Sequence, residues 1–205
     1  MKDKKAKGKI IIVSSPSGGG KSSICRKLLK KYKDWSFSIS VTTRKKRPNE
    51  KNGREYCFVD HAEFLKMRDE GKFAEWCKVH TYLYGTPRAQ LEKVLYGGGV
   101  MLLDVDVKGA KKLKKAYPMA ATIFILPPSR TDLRQRLKKR GTEDDKQLKI
   151  RQKRALSEMK LFGQFEYTVI NNDLITAVNE VDMIINSLHC RKSNLNLELI
   201  NRIVG

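Results

Sequence analysis

Apolar and polar positions follow two different periods along this chain. Residues 9–14 form a short apolar run with Ile10-Ile11-Ile12-Val13 at its centre, which predicts a buried strand. Small residues follow at 16–20. Residues 21–32 then place Ile24, Leu28, Leu29 and Tyr32 on one helical face. The chain therefore opens as strand, glycine loop, helix. Across 35–41, Trp35, Phe37, Ile39 and Val41 alternate with Ser36, Ser38 and Ser40, which is the period of a strand. Residues 42–53 are polar and basic, are broken by Pro48 and Gly53, and predict a loop. A short strand at 56–59, a helix at 62–70 ending near Gly71, a strand pair at 73–84 and a helix at 88–95 stopped by Gly97-Gly98-Gly99 come next.

Residues 100–107 are again buried-strand material and carry two acids, Asp104 and Asp106. A strand at 121–126 is closed by Pro127-Pro128. Residues 132–159 are helical with a break at 140–142, 167–170 predict a last strand, and 173–188 a last helix capped by Asn172 or Asp173. Helices alternating with apolar strands predict an α/β fold with a mainly parallel sheet flanked by helices. Residues 35–95 interrupt the alternation and predict an inserted subdomain.

Composition narrows this picture. The 205 residues suit one domain, and 40% hydrophobic residues are enough for a sizeable core. No apolar run reaches the roughly 18 residues of a membrane-spanning helix. The apolar run behind the basic N-terminus is too short for a secretory leader, so a cytoplasmic location is expected. Cys25, Cys57, Cys77 and Cys190 are scattered without a Cys-x-x-Cys pair, which predicts free thiols rather than zinc or disulfides. His61, His80 and His189 are too dispersed for a metal cluster. The formal net charge of +21 draws polyanions: nucleotides, nucleic acid and anionic membrane all fit, as do plain solvated lysine faces.

Ser15-Pro16-Ser17-Gly18-Gly19-Gly20-Lys21-Ser22 approaches the phosphate-loop pattern G-x-x-x-x-G-K-[ST]. Small residues let backbone N–H groups curl around phosphate oxygens, and the helix starting at Lys21 points its positive end at the same anion. Lys21 suits the β- and γ-phosphates of ATP, and the Ser22 hydroxyl suits Mg²⁺. One departure stands out: the first glycine of the pattern is Ser15 here.

Beyond the loop, an ordered series of motifs resembles the guanylate kinase family. It comprises Pro16-Ser17-Gly18-x-Gly20-Lys21-Ser22, Ser40-Val41-Thr42-Thr43-Arg44 with Arg47-Pro48, and Gly53-Arg54-Glu55-Tyr56-x-Phe58-Val59. Phe73-x-Glu75, Tyr84-Gly85-Thr86, Leu103-Asp104-Val105-Asp106-x-x-Gly109 and Ile125-x-Pro127-Pro128-Ser129 follow. Arg136-Leu137-x-x-Arg140-Gly141-Thr142 and Ile170-Asn171-Asn172-Asp173 complete it, so the series runs from about residue 9 to about 188.

The resemblance implies a phosphate-loop NTPase-like core (9–34, 98–128 and 165–190), a GMP-binding subdomain at about 35–97 and a helical lid at about 129–164. These make up a single domain over 1–190, with a tail at 191–205. It implies reversible transfer of the ATP γ-phosphoryl group to GMP, with Mg²⁺ as cofactor. Position by position, it makes Ser15, Pro16, Ser17, Gly18, Gly19, Gly20, Lys21, Ser22 and Asn171 ATP contacts. Arg44, Arg47, Tyr56 and Tyr84 become holders of the acceptor phosphate, for which guanidinium forks are suited. Glu75 becomes the guanine reader, accepting from N1–H and the 2-amino group, with Ser40 and Thr86 beside it. Arg136, Arg140 and Arg151 become lid arginines around the transferred group. Asp104 keeps two readings, the Mg²⁺ waters or the GMP side. Asp106, at the tip of the same apolar run, keeps two readings as well, a ligand-facing carboxylate or the plainer one of an acid bonded to a neighbouring helix or loop.

Two other functions stay in view. Guanylate-kinase-like scaffolds that bind peptides typically lack the loop lysine and the acceptor arginines, whereas Lys21, Arg44 and Arg47 are present. Nucleic-acid binding is suggested by charge but disfavoured, because no recognition motif accompanies it. The acceptor is expected to be GMP, dGMP remaining open. Leu195, Leu199 and Ile203 recur every four residues in the tail, which predicts a helix and a homo-oligomer built on it.

Overall fold

A computed structural model describes residues 8–79, 81–138, 145–191 and 197–204. Five strands form a parallel sheet in the order β2-β7-β1-β8-β9. They are β1 (Lys9–Ser14), β2 (Ser36–Phe37), β7 (Val100–Asp104), β8 (Ala121–Leu126) and β9 (Tyr167–Ile170). β1 is central, with Ile12 opposite Leu103 on one side and Thr122 on the other.

Successive side chains on β1 feed opposite cores, as strand geometry requires, and those two apart share one. Ile11 and Val13 pack with Ile24 and Leu28 of α1 (Lys21–Lys31) and with Ala177, Val181 and Ile185 of α7 (Leu174–Ser187). Ile10 and Ile12 pack with Leu91 and Val94 of α3 (Arg88–Gly97) and with Ala110 and Leu113 of α4 (Val107–Ala116). Continuous apolar runs are what strands covered on both faces demand. The result is the expected α/β architecture.

A second, mixed sheet has the order β4-β3-β6-β5. β3 (Val41–Thr42) runs parallel to β4 (Cys57–Phe58) and antiparallel to β6 (Tyr82–Pro87), which pairs antiparallel with β5 (Phe73–Val79). Helix α2 (His61–Asp69) covers this sheet through Phe64, which stacks on Phe73 at 4.7 Å. Asp60 caps α2 by accepting from the Glu63 N–H.

Three elements depart from the sequence reading. The alternating run 35–41 is not one strand: 36–37 joins the parallel sheet and 41–42 the mixed one. Period-two alternation is blind to this, because both halves keep their apolar side chains inward. The strand expected over 100–107 ends at Asp104, and α4, which the sequence reading lacked, starts at Val107. Asp106 is its cap, accepting from the Gly109 N–H at 2.8 Å, so Asp106 takes its plainer reading. The helical stretch 132–159 comprises α5 (Arg130–Lys138) and α6 (Asp145–Met159). The break expected at 140–142, Arg140 included, lies outside the described residues. In the tail, α8 (Leu197–Val204) is helical as expected, while Leu195 lies outside the described residues.

Candidate active site

The phosphate loop sits at the C-terminal mouth of β1, where open α/β sheets place their ligands. Within it Gly19 donates to the Pro16 carbonyl at 2.9 Å. Gly20 caps α1 at φ +97°, and a Cβ there would come within 2.1 Å of Asn171 Nδ2. Only glycine meets both conditions. Ser15, in place of the usual first glycine, is buried and donates to the Pro16 carbonyl at 3.0 Å. Its room comes from Gly19, where a Cβ would lie 2.8 Å from Ser15 Cβ. The loop therefore accommodates a side chain at one position by omitting one at another.

Asp104 ends β7 against this loop. One oxygen meets Lys21 Nζ at 2.5 Å, and the other accepts from the Ser22 hydroxyl at 2.7 Å. Lys21 also donates to the Val105 carbonyl at 2.8 Å. Burial pulls the Lys21 ammonium towards neutrality, but the charge and hydrogen bond of Asp104 outweigh it and leave the pKa raised. Both Asp104 oxygens thus face the donor side. Ser22 and Asp104 bring a hydroxyl and a carboxylate together beside the loop lysine, hard oxygen donors of the kind Mg²⁺ takes next to phosphate.

Asn171 and Arg136 close the other flank. Asn171 Nδ2 donates to the Gly19 carbonyl at 2.9 Å, and Arg136 donates to the Asn171 carbonyl at 2.8 Å. An open cleft of about 390 Å³ lies here, lined by Gly18, Gly20, Ser23, Arg136 and residues 171–174. Arg151 of α6 donates to the Ser17 hydroxyl at 3.1 Å. Two neighbours absent from the sequence reading join it: Glu158 accepts from the Ser17 N–H at 3.2 Å and from Arg154 Nε at 2.9 Å. In the sequence they read as an ordinary surface pair four residues apart on a helix.

The mixed sheet assembles the second half. Glu75 and Thr86 are cross-strand partners on β5 and β6, so both project from the same face. Thr86 donates to Glu75 Oε1 at 2.8 Å, whereas Oε2 is buried and has no partner among the described residues. Burial, reinforced by Asp106, pushes the Glu75 carboxyl up to about 7 against the pull of the Thr86 hydrogen bond. The first turn of α4 lies alongside, and a Cβ at Gly109 would be 3.4 Å from Glu75 Oε1.

Ser40 is buried in the same subdomain next to β3. Tyr56 and Tyr84 meet edge to face at 5.9 Å, and the Arg44 guanidinium lies over Tyr56 at 5.4 Å. Arg44 is also held in a bidentate pair by Glu50, at 2.8 and 3.0 Å. The Arg47 side chain is exposed, and its backbone N–H donates to Glu50. Among the described residues no group of three or more His, Cys, Asp or Glu gathers as a metal cluster.

A phosphate loop at the head of a central parallel strand, facing a small mixed sheet with a buried carboxylate, defines a phosphate-loop nucleotide-binding protein built for two ligands. The family model described as Guanylate kinase matches residues 7–188. A guanylate kinase of Caldanaerobacter subterraneus is 43% identical over 187 residues, covering 91% of each chain. One of Thermotoga maritima is 42% identical, covering 88% of this chain and 87% of its own. A crystal structure of guanylate kinase from Anaplasma phagocytophilum superposes with a TM-score of 0.79 at 31% identity, covering 93% of this chain and 90% of that one. The chain belongs to the guanylate kinase family.

Proposed function

We propose that the chain transfers the γ-phosphoryl group of ATP to GMP, reversibly, yielding ADP and GDP. The observation that carries this reading is Glu75: a buried carboxylate with one oxygen engaged by Thr86 and the other unpartnered. Guanine offers two adjacent donors, N1–H and the 2-amino group, to such a carboxylate, whereas adenine offers no such pair on that edge. A buried acceptor built for that edge rejects bases that leave it unpaired.

Lys21 and the amides of the phosphate loop hold the ATP phosphates, and Asn171 with Arg136 borders the cleft on the adenine side. Arg44, Arg47, Tyr56 and Tyr84 hold the GMP phosphate, Arg44 exchanging its Glu50 partner for that dianion. Ser40 and Thr86 complete the guanine pocket. Ser22 and Asp104 would hold Mg²⁺, which neutralises charge on the ATP phosphates when bound. An oxygen of the GMP phosphate forms the new bond to the γ-phosphorus as the bond to the β,γ-bridging oxygen breaks. The attacking oxygen is already ionised, so no general base is needed. Arg136 and Arg151 place positive charge where the transferred group passes, which is where phosphoryl transfer gains most. Arg140 belongs with them by its motif.

The reading places the chain in purine nucleotide recycling in the cytoplasm, in keeping with four free cysteines. No helix among the described residues is long and apolar enough to cross a membrane. ADP production from MgATP in the presence of GMP, dGMP, AMP, UMP or no acceptor tests it. Turnover confined to the guanine nucleotides is expected, and equal turnover with AMP would overturn the assignment of Glu75.

A further inference from the structure

Helix α6 meets the phosphate loop at Ser17 through two hydrogen bonds. Arg151 donates to its hydroxyl at 3.1 Å, and Glu158 accepts from its backbone N–H at 3.2 Å. Residues 151, 154 and 158 lie on one face of the helix by their spacing. The other Glu158 oxygen accepts from Arg154 Nε at 2.9 Å, and the Glu158 side chain is only 18% exposed. Gly18 continues the contact, since a Cβ there would lie 3.2 Å from the side chains of both Leu133 and Leu137 on α5. Leu133 and Leu137 in turn share a small core with Ala155 of α6. The loop is thus seated on the α5–α6 pair through Ser17 and Gly18.

A carboxylate is an unexpected neighbour for a loop that binds polyphosphate. Left unbalanced, its charge would repel the ligand. Arg154 supplies the balance, so the carboxylate can act as a hydrogen-bond acceptor at little electrostatic cost. We infer that Glu158, on the reading of the chain as an ATP:GMP phosphotransferase, is a positioning residue. It fixes the Ser17 peptide to α6, so that the phosphate loop and Arg151 keep one register during transfer. Arg154 is its partner and screens its charge from ATP. Misplacement of a reacting group by about 1 Å can cost about 10²-fold in rate, so a brace between loop and helix has a measurable role.

The test uses the full chain. Glu158→Ala is expected to lower kcat, approaching about 10²-fold, with KM for GMP unchanged. Glu158→Gln, whose amide oxygen still accepts from Ser17, is expected to keep most of kcat. Arg154→Ala leaves the carboxylate charge beside ATP and raises KM for MgATP, and adding Glu158→Gln lowers it again. A merely structural role would not produce that reversal.

Exchange of the Ser17 amide hydrogen, read by NMR in the nucleotide-free chain, is expected to speed up in Glu158→Ala and not in Glu158→Gln. This readout needs no turnover, so a chain inactive towards GMP would sink the kinase reading and still leave the brace decided. Three results would overturn the inference: parental kcat and Ser17 exchange in Glu158→Ala, a KM for MgATP in Arg154→Ala that Glu158→Gln does not lower, or a lower KM for MgATP in Glu158→Ala. The last would mean that the carboxylate competes with phosphate. Should Glu158→Ala fail to fold, the Gln and Arg154 variants decide alone.

Discussion

The donor and acceptor halves of the site are built on opposite economies of polar groups. Around the phosphate loop, Lys21 and Ser22 share Asp104, the Gly19 carbonyl is taken by Asn171, and Ser17 is taken by Arg151 and Glu158. On the acceptor side, Arg44 is held by a substitute carboxylate, Glu50, while the Glu75 carboxyl has one oxygen, Oε2, buried without a partner among the described residues. The first half is already arranged before a ligand arrives, and such preorganisation is what electrostatic catalysis uses. The second half holds its discriminating group in a costly state that its ligand relieves. Selectivity is therefore expected to reside in the mixed sheet, and rate in the loop.

Lys21→Ala should give the largest effect, lowering kcat by about 10²- to 10³-fold as the loss of a charge-stabilising donor does. Steady-state rates at saturating GMP would show it. A loss seen only in KM for GMP would erase the contrast between the halves. Glu75→Ala should act on the other half, raising KM for GMP by about 10- to 100-fold, the worth of hydrogen bonds to a charged group. KM for MgATP should stay near the parental value, and a matching rise there would join the two halves into one unit.

Gly19→Ala comes next. Its Cβ would meet Ser15 Cβ at 2.8 Å, so overpacking of about 1–3 kcal/mol is expected in denaturant unfolding. Adding Ser15→Gly should recover the part due to Ser15 and leave the 3.1 Å approach to the Ile125 carbonyl oxygen, and additive losses in the double variant would refute the steric link.

The smallest effect is set by pH. Glu75 must be ionised to accept two donors from guanine, and its carboxyl lies at about 7. KM for GMP should therefore rise as pH falls below about 7, approaching about tenfold per unit. Linkage gives a companion result. The folded value lies above the ordinary 4.5, so the folded chain holds the proton more tightly. The resulting stabilisation is complete below about 4.5 and is lost as pH rises to about 7. Glu75→Gln should accordingly raise the unfolding midpoint at about pH 8 and leave it unchanged at about pH 4. A gain at both would point to packing instead.

Most of the core was legible in the sequence because its signals are local. The runs 9–14 and 121–126 are apolar throughout, and Asp173 stands in front of α7 as a capping residue should. The loop and its lysine are contiguous, so they could be found without the fold. Helix α4 escaped because Val107 follows a strand-like run, and lysines at 108, 111, 112, 114 and 115 obscure the spacing of Ala110 and Leu113. The Asp106-x-x-Gly109 cap was the available sign of its start. Glu75 and Thr86 meet only through hairpin register, and Ser17 and Glu158 only through the fold, 141 residues apart. The role of Ser15 likewise depended on what stands across from it.

That last pairing also bears on history. Glycine at both 15 and 19 leaves only empty space, and serine at 15 with glycine at 19 is the present state. Serine at 15 with any larger residue at 19 places two β-carbons in one volume. Of the two orders in which a side chain at 19 can be exchanged for one at 15, removing the first before adding the second avoids the overlap. Position by position the loop lacks a glycine, whereas the pair shows that serine at 15 depends on glycine at 19.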